Sequence, residues 1–382
     1  MPPPVTVAGS SQPARLRHIR ELDGARGLAA LMVFFHHVCF STVRTSGLGR
    51  SVDLLRDVSA YGNTGVDLFF VLSGFLITSI LIETRHRESY YLDFYWKRVL
   101  RILPLYAICL LLVLTIYPKF WGGVLLSALF VVNFGSYFHI YMVGPFWSLA
   151  IEEQFYLVWP RVVRNRSVGQ LARWSIAIAL ASLLIRVVAG YFDHHNYYYT
   201  FYRCDGLALG ALIACWFEQG IDSAGRRRLG NLVLNSGLLG GALIFACSLY
   251  LQPPGHPGLR SASLQTGVTL LAASFIGRLV RDSGSRYLAL MRSPILTFFG
   301  LISYAFYMLH LFVLEAYDHL RPSPPVGNDL TFFSRLFAVL SISVAAALAS
   351  RYLIELPALS LRKRVLRSPS PPPITSESLN AI

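Results

Sequence analysis

LDGARGLAALMVFFHH, residues Leu22 to His37, is an apolar run with an arginine near its start and two histidines at its end. Imidazole is costly to bury among apolar side chains unless a neighbour satisfies it. Arg26 and His37 are eleven residues apart, about three helical turns, so an α-helix sets both on one face while His36 points about 100° away. At 1.5 Å per residue His37 lies roughly 15 Å into the run, near the middle of a bilayer core about 30 Å thick. On the residues alone, His37 reads either as a histidine packed against polar partners or as a group that does chemistry.

The rest of the chain supplies the setting. Of its 382 residues 54% are hydrophobic and only 14% charged, whereas a soluble domain is about a quarter charged. Uncharged runs of membrane-spanning length recur throughout, as in 27–43, 102–118, 229–259 and 293–314. The fold class is an all-α polytopic membrane protein. The formal net charge of +14 would suggest nucleic acid in a soluble chain. Here it reflects the excess of Lys and Arg in cytoplasmic loops, and no nucleic-acid partner is expected. The five cysteines are scattered, without metal spacing or a disulfide framework, and no metal is implied. The start of the chain has no apolar signal core, so no cleaved signal peptide is expected. The ending SPSPPPITSESLNAI reads as disordered. The organisation is a disordered cytoplasmic N-terminus (1–20), one membrane domain (21–366) and a disordered cytoplasmic tail (367–382), with no soluble domain after the last helix.

Most basic residues fall in six clusters, around Arg15–Arg26, Arg85–Arg101, Arg161–Arg173, Arg226–Arg228, Arg278–Arg292 and Arg362–Arg367. Placing all six on the cytoplasmic side requires an even number of crossings between neighbours. Five hairpins, hence about ten transmembrane helices with both termini inside, is the simplest solution. The spans fall near 25–43, 64–83, 101–118, 147–163, 171–192, 203–218, 229–250, 263–280, 294–317 and 331–355. WGGVLLSALFVVNFGSYF (Trp121–Phe138) is left over. A crossing there would break the parity, so it reads as a re-entrant or interfacial segment.

Ionisable groups inside spans are functional candidates. Asp67, in GNTGVDLFFVLSGFL, needs a partner in an apolar helix, and His37 is a plausible one. Lys97, Arg98 and Arg101, in YWKRVLRILPLY, read as a phosphate grip or as topology-setting charge. Glu152 and Glu153, in FWSLAIEEQFYLVWP, suggest a polar cavity or proton relay, or pairing with Arg186. Arg203 and Asp205, in YRCDGLALGALIA, suggest a local ion pair. His310, in GLISYAFYMLHLF, reads alone as structural, and Glu355 before Pro357 reads as a helix stop.

Taken in order, these stretches resemble acyltransferase family 3, the integral-membrane O-acyltransferases of sugars and some secondary metabolites. The matches run from about Leu22 to Pro357: Arg26 and His37 at their spacing, GVDLFFVLSGFLI, the Arg98 and Arg101 pair, WSLAIEEQFY, YRCDGLALGA, LISYAFYMLH and YLIELP. WSLAIEEQFY is the most distinctive. The family's optional extracytoplasmic hydrolase-like domain has no counterpart here. The resemblance implies transfer of an acyl group, most simply acetyl, from cytoplasmic acyl-CoA to a carbohydrate hydroxyl on an exopolysaccharide, O-antigen or lipid-linked sugar. It implies His37 as catalytic base or transient acyl carrier, with Asp67 or Glu152 orienting it. It implies Arg26, Arg98 and Arg101 as the acyl-CoA grip, and Trp147, Ser148, Glu153, Arg203, Asp205 and His310 as acceptor contacts. Acyl-CoA is then a co-substrate, and no cofactor is permanently bound. The partners are a glycan or glycosylated metabolite and the bilayer; in a bacterium the location is the inner or plasma membrane. A macrolide or other secondary metabolite as acceptor, and a proton-coupled transporter or flippase, are the competing readings. Against transport, no internal repeat is visible.

Overall fold

The computed structural model describes residues 18–41, 49–140, 144–193, 197–219, 224–250, 256–321 and 329–365. Most of the expected disordered N-terminus and the whole of the expected tail lie outside them. The described chain is helical without strands. All ten expected spans carry a long helix: α1 (Arg20–Phe35), α3 (Gly65–Thr84), α4 (Tyr90–Ile116), α6 (Phe146–Arg164), α7 (Val168–Tyr191), α8 (Thr200–Glu218), α9 (Ala224–Tyr250), α10 (Pro257–Arg281), α11 (Pro294–Leu320) and α12 (Asp329–Ser350). Short helices α2 (Arg50–Ser59), α5 (Trp121–Ala128) and α13 (Leu356–Val365) complete the set. Among the described residues, seven helical stretches, built on α3, α4, α7, α9, α10, α11 and α12, are long and apolar enough to cross a membrane. The other three long helices carry Arg26 (α1), Glu152 and Glu153 (α6), and Arg203 and Asp205 (α8).

Trp121–Phe138 is not one helix. It breaks into α5 and a 3₁₀ segment (Val132–Phe138), with Phe130 at φ 55° between them. It is stitched to its neighbours by the Tyr106 hydroxyl donating to the Ser127 carbonyl (2.8 Å) and the Gln154 amide donating to the Phe130 carbonyl (2.7 Å). The expected helix stop at Pro357 is not there. The chain passes through a wide π-turn (Arg351–Glu355) into α13, where Pro357 takes the second position. The helix runs on without a break, the Leu356 amide reaching back to the Arg351 carbonyl across the π-turn.

Two helix pairs form the centre, α1 on α11 and α3 on α8. Glycine makes both possible. A Cβ on Gly27 would lie 2.0 Å from the Leu296 carbonyl oxygen, and one on Gly300 2.0 Å from that of Asp23. A Cβ on Gly74 would lie 2.0 Å from the Leu207 carbonyl, and one on Gly210 2.1 Å from that of Val71. Lipid gives apolar side chains no reason to associate, so backbone-to-backbone contact at small residues supplies the packing. Around this centre α9 packs on α10, α7 on α8, and α12 on α11.

Candidate functional site

α1 widens into a π-turn at His36–Ser41. Such single π-turns interrupt helices most often at functional positions, because they re-aim side chains. Here the turn carries both histidines. His36 Nδ1 lies 3.1 Å from the Ser59 carbonyl oxygen, which only accepts, so that nitrogen carries a proton. His37 turns toward α11, and its Nδ1 lies 2.9 Å from Nε2 of His310.

The rest of the His310 ring decides the direction of that bond. Its Nδ1 lies 2.8 Å from the Tyr307 carbonyl oxygen and 3.1 Å from that of Phe306. Both oxygens only accept, so His310 is protonated on Nδ1 and offers a lone pair on Nε2. His37 Nδ1–H therefore donates to His310, which leaves the lone pair of His37 on Nε2. The pair fixes the tautomer that a general base needs, with a backbone carbonyl as final acceptor.

Neither expected carboxylate touches His37. Asp67 faces the other side of α3, where its Oδ1 lies 3.2 Å from Arg203 Nη1 and accepts from the Thr269 hydroxyl at 3.4 Å. Glu152 accepts from Ser73 (2.8 Å) and Tyr156 (3.2 Å). The local pair of Arg203 and Asp205 is also absent. Two positions apart on a helix, they point about 200° from each other. Asp205 instead meets Arg186 of α7 (2.8 Å), and Arg203 crosses to Asp67 of α3. Arg186, fully buried, is thereby taken and does not serve Glu152 or Glu153. Its guanidinium also donates to the Tyr202 carbonyl (2.6 Å) and Thr266 (2.9 Å). The Glu153 Oε1 atom is buried without a hydrogen-bond partner.

The remaining candidates divide between two cavities. The first, of about 470 Å³, is lined by Arg26, Arg98, Arg101, Glu152, Ser148 and Tyr307, among others. Arg98 lies over the ring of Tyr156 at 4.6 Å. Among the described residues, neither Arg98 nor Arg101 has a carboxylate within ion-pair distance; Arg26 has Asp23 at 3.7 Å. The second cavity, of about 260 Å³, holds His36, His37, Trp147 and Tyr197. Val66 and Tyr307 line both. The Tyr307 hydroxyl shares a 2.6 Å hydrogen bond with Ser148, so a tyrosine and a serine stand at the partition. The sequence reading missed Tyr307 and Ser73. Tyr307 was visible in principle: three positions before His310, it shares that histidine's helix face.

A family model described as an acyltransferase domain matches residues 19–352. The chain belongs to acyltransferase family 3. The matched region holds every candidate side chain above from Arg26 to His310. The chain is similar to the peptidoglycan O-acetyltransferase OatA of Listeria monocytogenes, with 33% identity over 165 residues, 38% of this chain and 24% of that protein. It is similar to the O-acetyltransferase OatA of Staphylococcus aureus, with 30% identity over 227 residues, 52% of this chain and 34% of that protein. YrhL of Bacillus subtilis is 28% identical over 380 residues, 89% of this chain and 55% of that protein. The chain thus spans between a quarter and about half the length of these relatives. No solved structure matches.

The crossed ion pairs carry a stability prediction. Asp67→Asn removes the counter-charge of a fully buried Arg203 and is expected to destabilise the family fold by about 3–5 kcal/mol. Asp67→Asn with Arg203→Met is expected to recover most of that loss. Thermal unfolding of the purified variants in detergent checks it; a double variant no more stable than the single one would show the charges to be uncoupled.

Proposed function

We propose that this chain is a membrane-embedded O-acyltransferase that moves an acyl group, in the simplest case acetyl, from acyl-CoA to a hydroxyl of a carbohydrate. The observation that carries the reading is the pair of cavities divided at Tyr307, one lined by three arginines and the other by His37. Acyl-CoA carries several phosphates, and guanidinium groups bind phosphate bidentately. Bound with its phosphates on Arg26, Arg98 and Arg101, its thioester would reach along the first cavity toward Ser148 and Tyr307. The arginine-lined mouth faces the cytoplasm in this reading, with both termini on that side. The second cavity takes the acceptor hydroxyl, and the names of the OatA relatives favour a glycan as its owner.

The chemistry follows from the tautomer. His37 Nε2 takes the hydroxyl proton as the acceptor oxygen attacks the thioester carbonyl. Negative charge passes onto the carbonyl oxygen as the tetrahedral intermediate forms. The C–S bond then breaks, and the departing sulfur takes the proton from His37, giving ester and free CoA thiol. His310 acts throughout as a positioning residue, accepting from Nδ1 of His37 in the place a triad gives to a carboxylate.

Membranes holding the wild type or His37→Ala at equal abundance, supplied with radiolabelled acetyl-CoA, test the reading. Label should enter the glycan fraction with wild type and fall about 10²–10⁴-fold with the variant; undiminished transfer by a well-folded variant would refute the role of His37. Label in the small-molecule fraction would instead make a metabolite the acceptor. His310→Leu is expected to lower kcat at least tenfold with little change in KM for acyl-CoA. His310→Gln, whose amide oxygen still accepts from His37, should retain more of kcat; equal losses in the two would reduce His310 to packing. Arg98→Ala and Arg101→Ala should each raise KM for acyl-CoA about tenfold or more, consistent with loss of a charged hydrogen bond worth roughly 1.5–3 kcal/mol. Unchanged affinity would return both to topology-setting charge.

A further inference from the structure

A third cavity, of about 410 Å³, adjoins the one that holds His37. Asn63 and Tyr197 line both, so the two share a wall. This third cavity is also lined by Arg203, Asp67 and Gln265. Arg203 is only 1% exposed and its guanidinium lies over the Tyr197 ring at 4.3 Å, with Phe70 and Trp147 at 5.3 and 5.8 Å, yet Nε, Nη1 and Nη2 all lack a hydrogen-bond partner among the described residues. Asp67 sits 3.2 Å from Nη1 as a counter-charge. Among the described residues, the Tyr197 hydroxyl and the Gln265 Oε1 atom are buried and make no hydrogen bond, while the Gln265 amide nitrogen donates to the Tyr202 carbonyl at 2.9 Å. Buried polar atoms are nearly always bonded, so a cluster of orphans bordering one cavity marks where a polar ligand is received.

The charge balance selects the ligand. Asp67 offsets Arg203, and the second arginine of the cavity, Arg260, already donates to the Ser248 carbonyl at 3.0 Å. The cavity is therefore not a bare cationic pocket awaiting phosphate. It offers guanidinium N–H donors, an amide oxygen that accepts, a phenol that does both, and the aromatic rings of Tyr61 and Tyr197. A sugar ring matches that set, since each hydroxyl both donates and accepts and the C–H faces are apolar.

We infer that this cavity is a second sugar subsite. The residue to be acylated sits beside His37, and its neighbour along the chain sits against Arg203, Gln265 and Tyr197. The acceptor class that follows is a glycan of two or more sugars, not a single sugar or a small glycosylated metabolite. This deepens the function proposed above and rests on it for the identity of the first subsite.

The test is binding, so it stands apart from turnover. The full chain in nanodiscs is titrated calorimetrically with mono-, di- and tetrasaccharide fragments of peptidoglycan glycan strands. The disaccharide is expected to bind at least tenfold more tightly than the monosaccharide. Gln265→Leu, which leaves both ion pairs intact, and Arg203→Lys, which keeps the charge but loses the fork of donors, should each erase that gain while monosaccharide affinity persists. Unfolding temperature controls for folding, and Gln265→Leu decides the matter if Arg203→Lys does not fold. Equal affinities for one and two sugars, a gain that survives Gln265→Leu, or no binding of any fragment would each overturn the subsite. A clear gain without transfer of label from acetyl-CoA would keep the subsite and refute acetyl-CoA as the donor.

Discussion

The pairing of Arg203 with Asp67 across α8 and α3, doubled by Arg186 with Asp205 across α7 and α8, is the constraint on which the rest of the bundle depends. Four full charges lie inside an apolar helical assembly, and each is tolerable only because a specific helix stands beside it. The pairs fix the rotation of α8 about its own axis, since the two charged side chains point to opposite neighbours. Gly74 and Gly210 then let α3 and α8 close to backbone contact. With α3 so held, Val66, Phe70 and Ser73 face the space shared with α1, α6 and α11, and that space is where the cavities form.

That interior is divided, and the division follows from side chains on facing helices. α11 contributes Tyr307 and His310 from one face; α6 contributes Ser148 and Glu152 from another. The Ser148 bond to Tyr307 closes the gap between α6 and α11 at one level, so the arginine-lined space and the histidine-lined space meet without merging. In the proposed reaction, an acyl donor and its acceptor approach from separate cavities and meet at the partition. Such separation keeps water away from an activated thioester, which is a general requirement of acyl transfer in a closed site.

How much of this was legible in the sequence depends on the range of the interaction. The ten long helices were readable because composition and periodicity are local, whereas the break of segment 121–138 falls at 129–131, past Gly122 and Gly123, which lie inside α5. Membership of the family was readable from ordered motifs. The partners were not. Asp67 with His37, chosen because a lone carboxylate needs a partner, and Arg203 with Asp205, chosen for their closeness along the chain, are the pairs the sequence suggests, and the structure makes neither. Those choices depend on which helix faces which, and no periodicity encodes that. The π-turn at His36 lay beyond reach for a related reason: a helical wheel with a constant 100° step assigns a face to His37, but the ring's final direction follows the widened turn.

The use of a second histidine in the orienting position has a physical logic of its own. His310 is almost fully buried, at 1% exposed, between Phe34, Phe306 and Tyr307. A carboxylate there would be a charge in an apolar wall, and the buried arginine nearby, Arg335, is already paired with Asp318 at 2.6 Å. A neutral imidazole locked by two backbone carbonyls imposes the same tautomer on His37 at far smaller desolvation cost. Asp67 and Asp205 sit instead with arginines, and Glu152 with Ser73 and Tyr156. The bundle thus separates two tasks that a soluble triad combines. Electrostatic pairing holds the helices in register, and a neutral hydrogen-bonded chain from His37 through His310 to the backbone of α11 fixes the tautomer of His37.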